Sequence, residues 1–175
     1  MSYRLHCFAE SGNSFKAAQM LSVCGLKWTP VVVDYFNGET RGAAYRRDVN
    51  EMGEVPVLDD GARKLSQSGV ILTALAERTG RFGWASDDER LEGLRWLLFD
   101  NHKFTSYVAT LRFLVALAKT GETPVTEFLR GRAEAAIGVV EAHLAGADWL
   151  VGGRPTIADF SLSGYLFYPE EYGID

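Results

Sequence analysis

The sequence predicts an α/β domain with a mixed four-stranded sheet, followed by an all-helical domain. Two patterns support this fold class. Before residue 80, short apolar runs and helical periodicity alternate in the order βαβ, a weak helix and then ββα, which implies parallel and antiparallel strand pairs in one sheet with helices packed on it. Beyond about residue 84 the apolar periodicity is entirely helical. We therefore expect domains at residues 1–80 and 84–175.

Cap and turn residues define the opening βαβ unit. Asn13 or Ser14 is the expected N-cap of its helix, because both side chains accept hydrogen bonds from the unpaired N–H groups of a first turn. Pro30 has no N–H to donate, so its strand is expected at an edge of the sheet. We expect strands at Tyr3–Phe8 and Trp28–Tyr35, with a helix between them that ends at Cys24.

A hairpin and a further helix complete the first domain. A weak helical pattern over residues 43–49 comes first. Turn residues then separate two short apolar runs, which is typical of a hairpin. We expect strands at Val55–Leu58 and Arg63–Leu65 around the turn Asp59-Asp60-Gly61, and a helix at Ser68–Thr79 that ends at Gly80.

The Val55–Pro56 pair stands at the approach to the third strand. Proline has no N–H and pushes the preceding residue towards extended geometry. Since cis peptide bonds occur mainly before proline, a cis Val55–Pro56 bond is a natural way to turn the backbone of Val55 outward. Its free N–H and C=O, beside a helix N-terminus, favour a peptide-like ligand that bears a carboxylate.

Start signals divide the second domain into helices. Ser86 and Glu89 have the spacing of a capping box, as do Thr156 and Asp159. Pro124 suits the first position of a helix. We expect one helix after Ser86 with a long apolar face (Leu91, Leu94, Leu98, Val108, Leu111 and Val115), one from Pro124 to about Leu144, and one from Thr156 through Phe167 that Pro169 stops.

Composition excludes several classes of function. The net charge of −5 argues against nucleic acid or an anionic membrane as a partner. No apolar run reaches the length of a membrane span and the N-terminus has no signal-peptide pattern, so we expect a cytoplasmic protein. Cys7 and Cys24 are expected to be reduced core residues, and the three histidines have no metal-ligand spacing.

Four short motifs lie in order along the predicted elements. Each alone is weak, but together, on the right elements, they are a strong signal. They are Ser11-Gly12-Asn13-Ser14-Phe15-Lys16, Val55-Pro56, Gln67-Ser68 and Thr156-Ile157-Ala158-Asp159-Phe160. With these motifs the whole chain resembles the cytosolic glutathione transferase family, whose fold is a thioredoxin-like glutathione domain followed by an all-helical domain.

The resemblance implies an enzyme that conjugates the thiolate of glutathione to small hydrophobic electrophiles, which is a detoxification reaction. Glutathione is then the co-substrate, no metal takes part, and the protein is a homodimer. The resemblance also implies that Ser11 and Asn13 contact the thiol, as in bacterial serine- or asparagine-type members with a theta- or zeta-like first turn. Ser14 is expected to be a cap or first-turn residue.

The same resemblance assigns the remaining glutathione contacts. Val55 is expected to bind the cysteinyl backbone through its main chain, and Pro56 to set the loop. Gln67 and Ser68 are expected to hold the γ-glutamyl carboxylate and amine at a helix N-terminus. Asn101, Phe104 and Tyr107 are the expected electrophile pocket, whereas Lys16 and Arg41 are interpreted as ordinary solvated charges.

Two alternatives remain open at this stage. Related bacterial members act as glutathione-dependent disulfide or peroxide reductases, and a non-catalytic glutathione-binding module would keep the same fold. The chain departs from the family pattern in three ways: Glu51 replaces the usual proline after Asn50, no tyrosine ends the first strand, and the sequence ends soon after the Thr156 helix. Since members usually continue for one or two more helices, we expect a fragment or a shortened form.

Overall fold

The computed structural model describes residues 2–174. The chain divides into two compact units, Met1–Gly83 and Trp84–Asp175. The first is a mixed sheet with helices and the second is helical, so the predicted fold class is confirmed. The elements of the first unit are β1 (Tyr3–Cys7), α1 (Gly12–Val23), β2 (Trp28–Val32), α2 (Ala43–Asp48), β3 (Val57–Asp59), β4 (Lys64–Ser66) and α3 (Ser68–Thr79).

The four strands lie in the order β2-β1-β3-β4. β1 and β2 are parallel, whereas β1 with β3 and β3 with β4 are antiparallel. Pro30 pairs in register with Leu5 on the edge strand β2, where its missing N–H interrupts no inner ladder. The core of this unit comprises Leu5, Ala17, Met20, Leu21, Leu58, Ile71, Leu72 and Leu75.

Several predicted boundaries of the first unit shift. The N-cap of α1 is Ser11 rather than Asn13 or Ser14, because its backbone is extended while its side chain accepts from the helix. β2 ends at Val32, since the chain turns through Tyr35 and Gly38 instead of continuing. β3 begins two residues later than predicted and β4 one residue later. The helix predicted at Ser68–Thr79 forms with those ends, and Gly80 follows in the left-handed conformation.

The second unit is helical throughout its regular elements. Its helices are α4 (Asp87–Phe99), α5 (Thr105–Arg112), α6 (Pro124–Leu144), α7 (Ile157–Ser163) and α8 (Pro169–Tyr172). π-helical turns at Asp100–Phe104 and Phe113–Leu117 follow α4 and α5. The core includes Trp96, Phe104, Val108, Leu111, Leu129, Ala133, Ala136, Leu150, Ala158 and Leu162. α7 ends before Gly164, so the helix predicted to reach Phe167 is wrong, and Pro169 begins a helix rather than stopping one.

The single apolar face predicted along the long helix does not exist. Leu91, Leu94 and Leu98 are exposed, whereas Trp96 is only 2% exposed. The cause is the π-helical turn after α4, in which the Thr105 N–H donates to the carbonyl five residues earlier. Such a turn shifts the phase of the helix face, so residues before and after it cannot be placed on one regular period.

The capping box at the start of α7 is confirmed. One oxygen of Asp159 accepts from the N–H and the hydroxyl of Thr156, at 2.8 and 2.9 Å. The other accepts from the N–H of Leu150 at 2.9 Å, which ties the preceding loop to the helix. The capping box at α4 forms only one of its two hydrogen bonds. Ser86 Oγ accepts from Glu89 N at 3.1 Å, but the Glu89 carboxylate accepts from the N–H of Ala85 instead of that of Ser86.

We expect Asp159→Ala to lower the free energy of unfolding by about 2–3 kcal/mol, because it removes a cap and two further hydrogen bonds of a half-buried carboxylate. Ser86→Ala, which removes one exposed cap bond, is expected to cost about 1 kcal/mol. Equilibrium urea unfolding measures both. Equal costs for the two variants would contradict this account of the α7 start.

Asp60 gives the first unit a pH-dependent contribution to stability. It is 6% exposed and accepts from Arg78 Nη2, Ala62 N and Arg63 N, each at 2.9 Å. These hydrogen bonds, of which the one from Arg78 has the largest effect, lower the pKa of Asp60 to about 2. Because the folded pKa lies below the unfolded value near 4, this contribution is complete above pH 4 and is lost as the pH falls towards 2.

We therefore expect Asp60→Asn to be less stable than the parent protein at pH 6 and to lose less stability between pH 6 and pH 3. The asparagine keeps an acceptor oxygen but has no charge to protonate. Urea midpoints at several pH values measure the difference, with the exposed Asp88→Asn as control. Parallel pH profiles for the parent and Asp60→Asn would show that Asp60 makes no such contribution.

Candidate functional site

The topology of the sheet brings three of the predicted motifs to one edge. β1 and β4 run in the same direction, because each is antiparallel to β3. Their C-terminal ends therefore share an edge, where α1 and α3 begin with Ser11 and Gln67-Ser68. β3 runs the other way and starts at that edge, directly after Val55-Pro56. Strand direction alone thus gathers these residues at one end of the sheet.

Ser11 caps α1 at this edge. Its N–H donates to the Phe8 carbonyl at 3.2 Å, which closes the turn after β1. Its Oγ accepts from the N–H of Ser14 at 3.1 Å, and the residue is 6% exposed. Because the oxygen acts as an acceptor, the hydroxyl hydrogen is left to donate, and residues 2–174 offer it no acceptor.

A side-chain hydrogen bond joins the starts of the two helices. Ser68 Oγ donates to Asn13 Oδ1 at 3.3 Å. The amide oxygen of Asn13 is thereby occupied, which leaves its Nδ2 as a donor. Ser14 differs from both: its hydroxyl is buried and has no partner in the part of the chain that the structure describes. The structure thus brings Ser11, Asn13 and Ser68 together and turns Ser14 inward.

The loop before β3 is held from both sides. The Val55–Pro56 bond is cis, in agreement with the sequence prediction. The carbonyl of Glu54 accepts from Tyr45 Oη and from Asn50 Nδ2, each at 3.0 Å. Among the described residues, neither the N–H nor the C=O of the half-buried Val55 has a backbone partner. Its main chain is therefore free to pair with an extended peptide.

Gln67 lies at the start of α3 in an unusual backbone conformation. Its φ is 68° and its ψ is 118°, which a residue other than glycine rarely adopts. Its side chain makes no cap; instead Nε2 donates to Glu54 Oε2 at 2.7 Å. The first N–H groups of α3, beginning with that of Ser68, therefore have no side-chain acceptor from the N-cap. An uncapped helix N-terminus favours an anion.

The two cysteines and two of the cations of the first unit were also given interpretations from the sequence. Lys16 is 1% exposed, so its interpretation as a solvated charge was wrong, whereas Arg41 is exposed. Cys7 and Cys24 are free and half-buried. Burial raises the pKa of the Cys7 thiol, which keeps it protonated at neutral pH. A thiolate nucleophile at this edge would therefore have to come from a ligand.

The second unit carries the three residues expected to contact an electrophile. Asn101 is exposed, and its carbonyl accepts from Ser106 Oγ at 2.7 Å. Tyr107 is half-buried, and its phenol accepts from Arg132 Nη2 at 3.2 Å, a bond that lowers the pKa of Tyr107. Phe104 is 1% exposed within the helical core. Within this unit Asn101 and Tyr107 reach the surface, and Phe104 does not.

Sequence reasoning missed the residues that support the site. Tyr45 and Asn50 hold the loop before Val55, and Glu54 holds the side chain of Gln67. Burial and, to a smaller extent, the negative charge of Glu39 raise the pKa of Tyr45 to about 12. Its phenol therefore stays a donor at neutral pH. The only sequence signal was position, because these residues flank the Val-Pro motif.

The described residues hold neither a metal-binding cluster nor a membrane-spanning helix. Between residues 2 and 174 there is no group of three or more His, Cys, Asp or Glu side chains that would hold a metal ion. Over the same residues, no helix combines the length and the apolar character that crossing a bilayer requires.

The chain belongs to the glutathione S-transferase family. Residues 77–168 match the family model described as the glutathione S-transferase C-terminal domain. A crystal structure of a glutathione S-transferase from Pseudomonas fluorescens Pf-5 has the same fold with a TM-score of 0.91 and 30% identity, over 99% of this chain and 87% of that one.

Other relatives show the range of the family. Glutathione S-transferase F14 of Arabidopsis thaliana is 29% identical over 165 residues, and the match spans 89% of this chain but only 64% of the plant protein. Maleylacetoacetate isomerase of Rhizobium meliloti is 27% identical over 98% of this chain and 83% of its own length. The structure of a glutathione transferase homologue from Lodderomyces elongisporus is 25% identical, with a TM-score of 0.88 over all of this chain and 87% of the homologue. That structure was solved with two GSH per subunit.

Proposed function

We propose that this protein is a glutathione transferase that conjugates the glutathione thiolate to small hydrophobic electrophiles. The observation that carries the proposal is the meeting of three features at one sheet edge: a hydroxyl donor at Ser11, an unpaired main chain at Val55 and an uncapped helix start at Ser68. A cysteinyl backbone paired with Val55 extends its γ-glutamyl carboxylate towards Ser68 and its sulfur towards Ser11.

Activation of the thiol requires a modest stabilisation. A free thiol with a pKa of about 8.5 is only about 3% thiolate at pH 7, and lowering the pKa by two units gives roughly three-quarters thiolate. That change corresponds to about 2.7 kcal/mol. One hydrogen bond to a charged group contributes about 1.5–3 kcal/mol, and the N-terminus of α1 adds to it. The hydroxyl of Ser11 at the N-cap of α1 is therefore sufficient to lower the pKa of a bound thiol by about two units.

Asn13 supplies a second donor in this proposal. Its Oδ1 accepts from Ser68 Oγ, which leaves Nδ2 to donate to the sulfur. Ser11 and Asn13 together make a serine/asparagine-type first turn of theta- or zeta-like kind. In the reaction the thiolate attacks the electrophilic carbon, a C–S bond forms, and the leaving group departs with its bonding electrons.

The remaining sequence expectations stay proposals. Asn101 and Tyr107 are the proposed electrophile contacts, whereas Phe104, which the sequence analysis also named, is buried in the helical core. The proposed electrophile is a small apolar molecule. The proposed assembly is a homodimer, located in the cytoplasm.

A glutathione-dependent disulfide or peroxide reductase is the second candidate. The Lodderomyces elongisporus homologue holds two GSH per subunit, and a disulfide reduction that forms oxidised glutathione consumes two. Cys7, whose pKa burial raises, is not suited to replace either of them. Activity on a model aryl halide favours the transferase. Reduction of a small disulfide without activity on the aryl halide favours the reductase. Binding of glutathione without thiolate absorbance favours a non-catalytic module.

Ser11→Ala tests the transferase directly. We expect the pKa of enzyme-bound glutathione thiol to rise by about one to two units and kcat/KM for an aryl halide to fall about 10–100-fold, because the donor to the thiolate is lost. Thiolate absorbance titrated against pH measures the first quantity.

Ser86→Ala is the matched control, since Ser86 caps α4 with a bond of the same 3.1 Å length in the other unit. It removes a cap but no proposed ligand contact, and its bound thiol is expected to titrate as in the parent protein. An unchanged thiol pKa in a folded Ser11→Ala variant would remove Ser11 from the mechanism.

A further inference from the structure

We infer that His6 is a proton-sensitive contact beneath the segment at residues 39–50, and that its protonation opens this segment and weakens the binding of glutathione. The inference rests on the proposed function, because glutathione is the ligand whose binding changes. His6 lies on the inner strand β1, pairs in register with Val31 and Val57, and is 9% exposed. The proposed transfer reaction gives this buried histidine no role.

The side chain of His6 lies on the sheet face opposite α3. Successive side chains of a strand alternate between the two faces, so Tyr3 lies on one face of β1, and Arg4 and His6 lie on the other. Tyr3 is on the face of α3, since its phenol accepts from Arg78 Nη1 at 2.9 Å. The burial of His6 therefore requires a second layer on its own face of the sheet.

The segment at residues 39–50 supplies that layer. Lys64 pairs in register with Asp59, whose carboxylate accepts from Arg4 at 2.6 Å, so these side chains share the face of His6. Lys64 Nζ donates to the carbonyl of Asp48 at 2.9 Å, which places the end of α2 over this face. The segment that contains α2 thus covers the row of the sheet in which His6 lies.

The same segment supports the loop before Val55. Tyr45 and Asn50, which are 5% and 7% exposed, both donate to the carbonyl of Glu54 at 3.0 Å. Of the six described residues of α2, Tyr45 alone is buried. A helix this short and exposed belongs to the least stable parts of a fold, and it opens locally at low cost. Its opening separates both donors from Glu54 and releases the loop.

The surroundings of His6 oppose a positive charge. Both ring nitrogens of a protonated imidazole carry a hydrogen, and Nε2 of His6 is buried with no hydrogen-bond partner among residues 2–174. The cation therefore has a buried N–H without an acceptor. Burial lowers the pKa of His6, and the positive charges of Arg4 and Lys64 lower it further. The negative charges of Asp59 and Glu39 offset part of this effect.

The charged side chains of α2 itself are engaged elsewhere. Arg46 Nη1 donates to the carbonyl of Glu51 at 2.9 Å, and Arg47 pairs with Asp48. All of these side chains are exposed. Within the described part of the chain, the charges that act on His6 therefore come from the strands and from Glu39.

The sign of the pH effect follows from this arrangement. In the open segment His6 meets water and has the ordinary pKa of about 6.5, whereas in the closed segment its pKa is lower. Above about pH 6.5 both forms are neutral, so the proton favours neither. As the pH falls below about 6.5, the open form binds the proton first, and the closed form loses stability.

Hydrogen exchange and calorimetry on three proteins test the inference. Exchange of the amides of residues 43–50, corrected for the intrinsic rate, measures the opening. Calorimetry with S-methylglutathione measures the effect on the site, and because this ligand has no thiol, ionisation of the sulfur does not contribute. The proteins are the parent, His6→Gln and the control His102→Gln, which removes an exposed histidine of the second unit.

We expect both quantities to change between pH 7.5 and pH 5.5 only where His6 is present. In the parent and in His102→Gln, opening increases about fivefold and the Kd for S-methylglutathione rises about threefold. In His6→Gln, which has no charge to gain, neither changes by more than about 1.5-fold. Equal pH effects in the parent and His6→Gln would overturn the inference, as would an opening that leaves the Kd unchanged.

The parent protein alone supplies a second test, which decides the matter even where His6→Gln does not fold. By thermodynamic reciprocity, saturating S-methylglutathione must lower the pH at which the imidazole of His6 titrates, as followed by NMR. An unchanged titration overturns the inference while the proposed function stands. A parent protein that binds no S-methylglutathione at pH 7.5 overturns the proposed function, whereas the exchange data still test the control of the segment by His6.

Discussion

The direction of β1, β3 and β4 is the constraint on which the candidate site depends. Because β3 is antiparallel to both of its neighbours, the ends of β1 and β4 and the start of β3 fall at one edge of the sheet. Two helices begin and one loop passes there, and the Ser68–Asn13 hydrogen bond at 3.3 Å fixes the helix starts to each other. Helix starts and loops carry unpaired backbone groups, so this edge is suited to bind a peptide-like anion.

Support for this edge comes from polar side chains around the loop before β3. Tyr45 and Asn50 hold one carbonyl in the loop, so the main chain of Val55 is presented in a fixed position. Gln67 has a strained backbone, and its side chain donates to Glu54. Pre-positioned groups of this kind lower the entropy cost of binding.

Local signals predicted much of the fold. The apolar period and the stop residue Gly80 placed α3 at Ser68–Thr79 correctly. Cap residues placed the starts of α6 and α7 correctly, because a cap depends only on neighbours along the chain. The burial of α4 was not predictable in the same way, since the π-helical turn after it breaks the period on which the prediction of Leu91, Leu94 and Leu98 relied. Likewise, Glu54 reaches Gln67 through a contact 13 residues apart, and no periodicity signals it.

The central claim is that the sheet edge binds glutathione with its sulfur at the first turn of α1. A crystal structure of the protein with glutathione tests it most directly. The account predicts the ligand sulfur within about 3.5 Å of Ser11 Oγ, two main-chain hydrogen bonds to Val55, and the γ-glutamyl carboxylate on the N–H of Ser68. Glutathione seated elsewhere, or bound at this edge with its sulfur away from both Ser11 and Asn13, would contradict it.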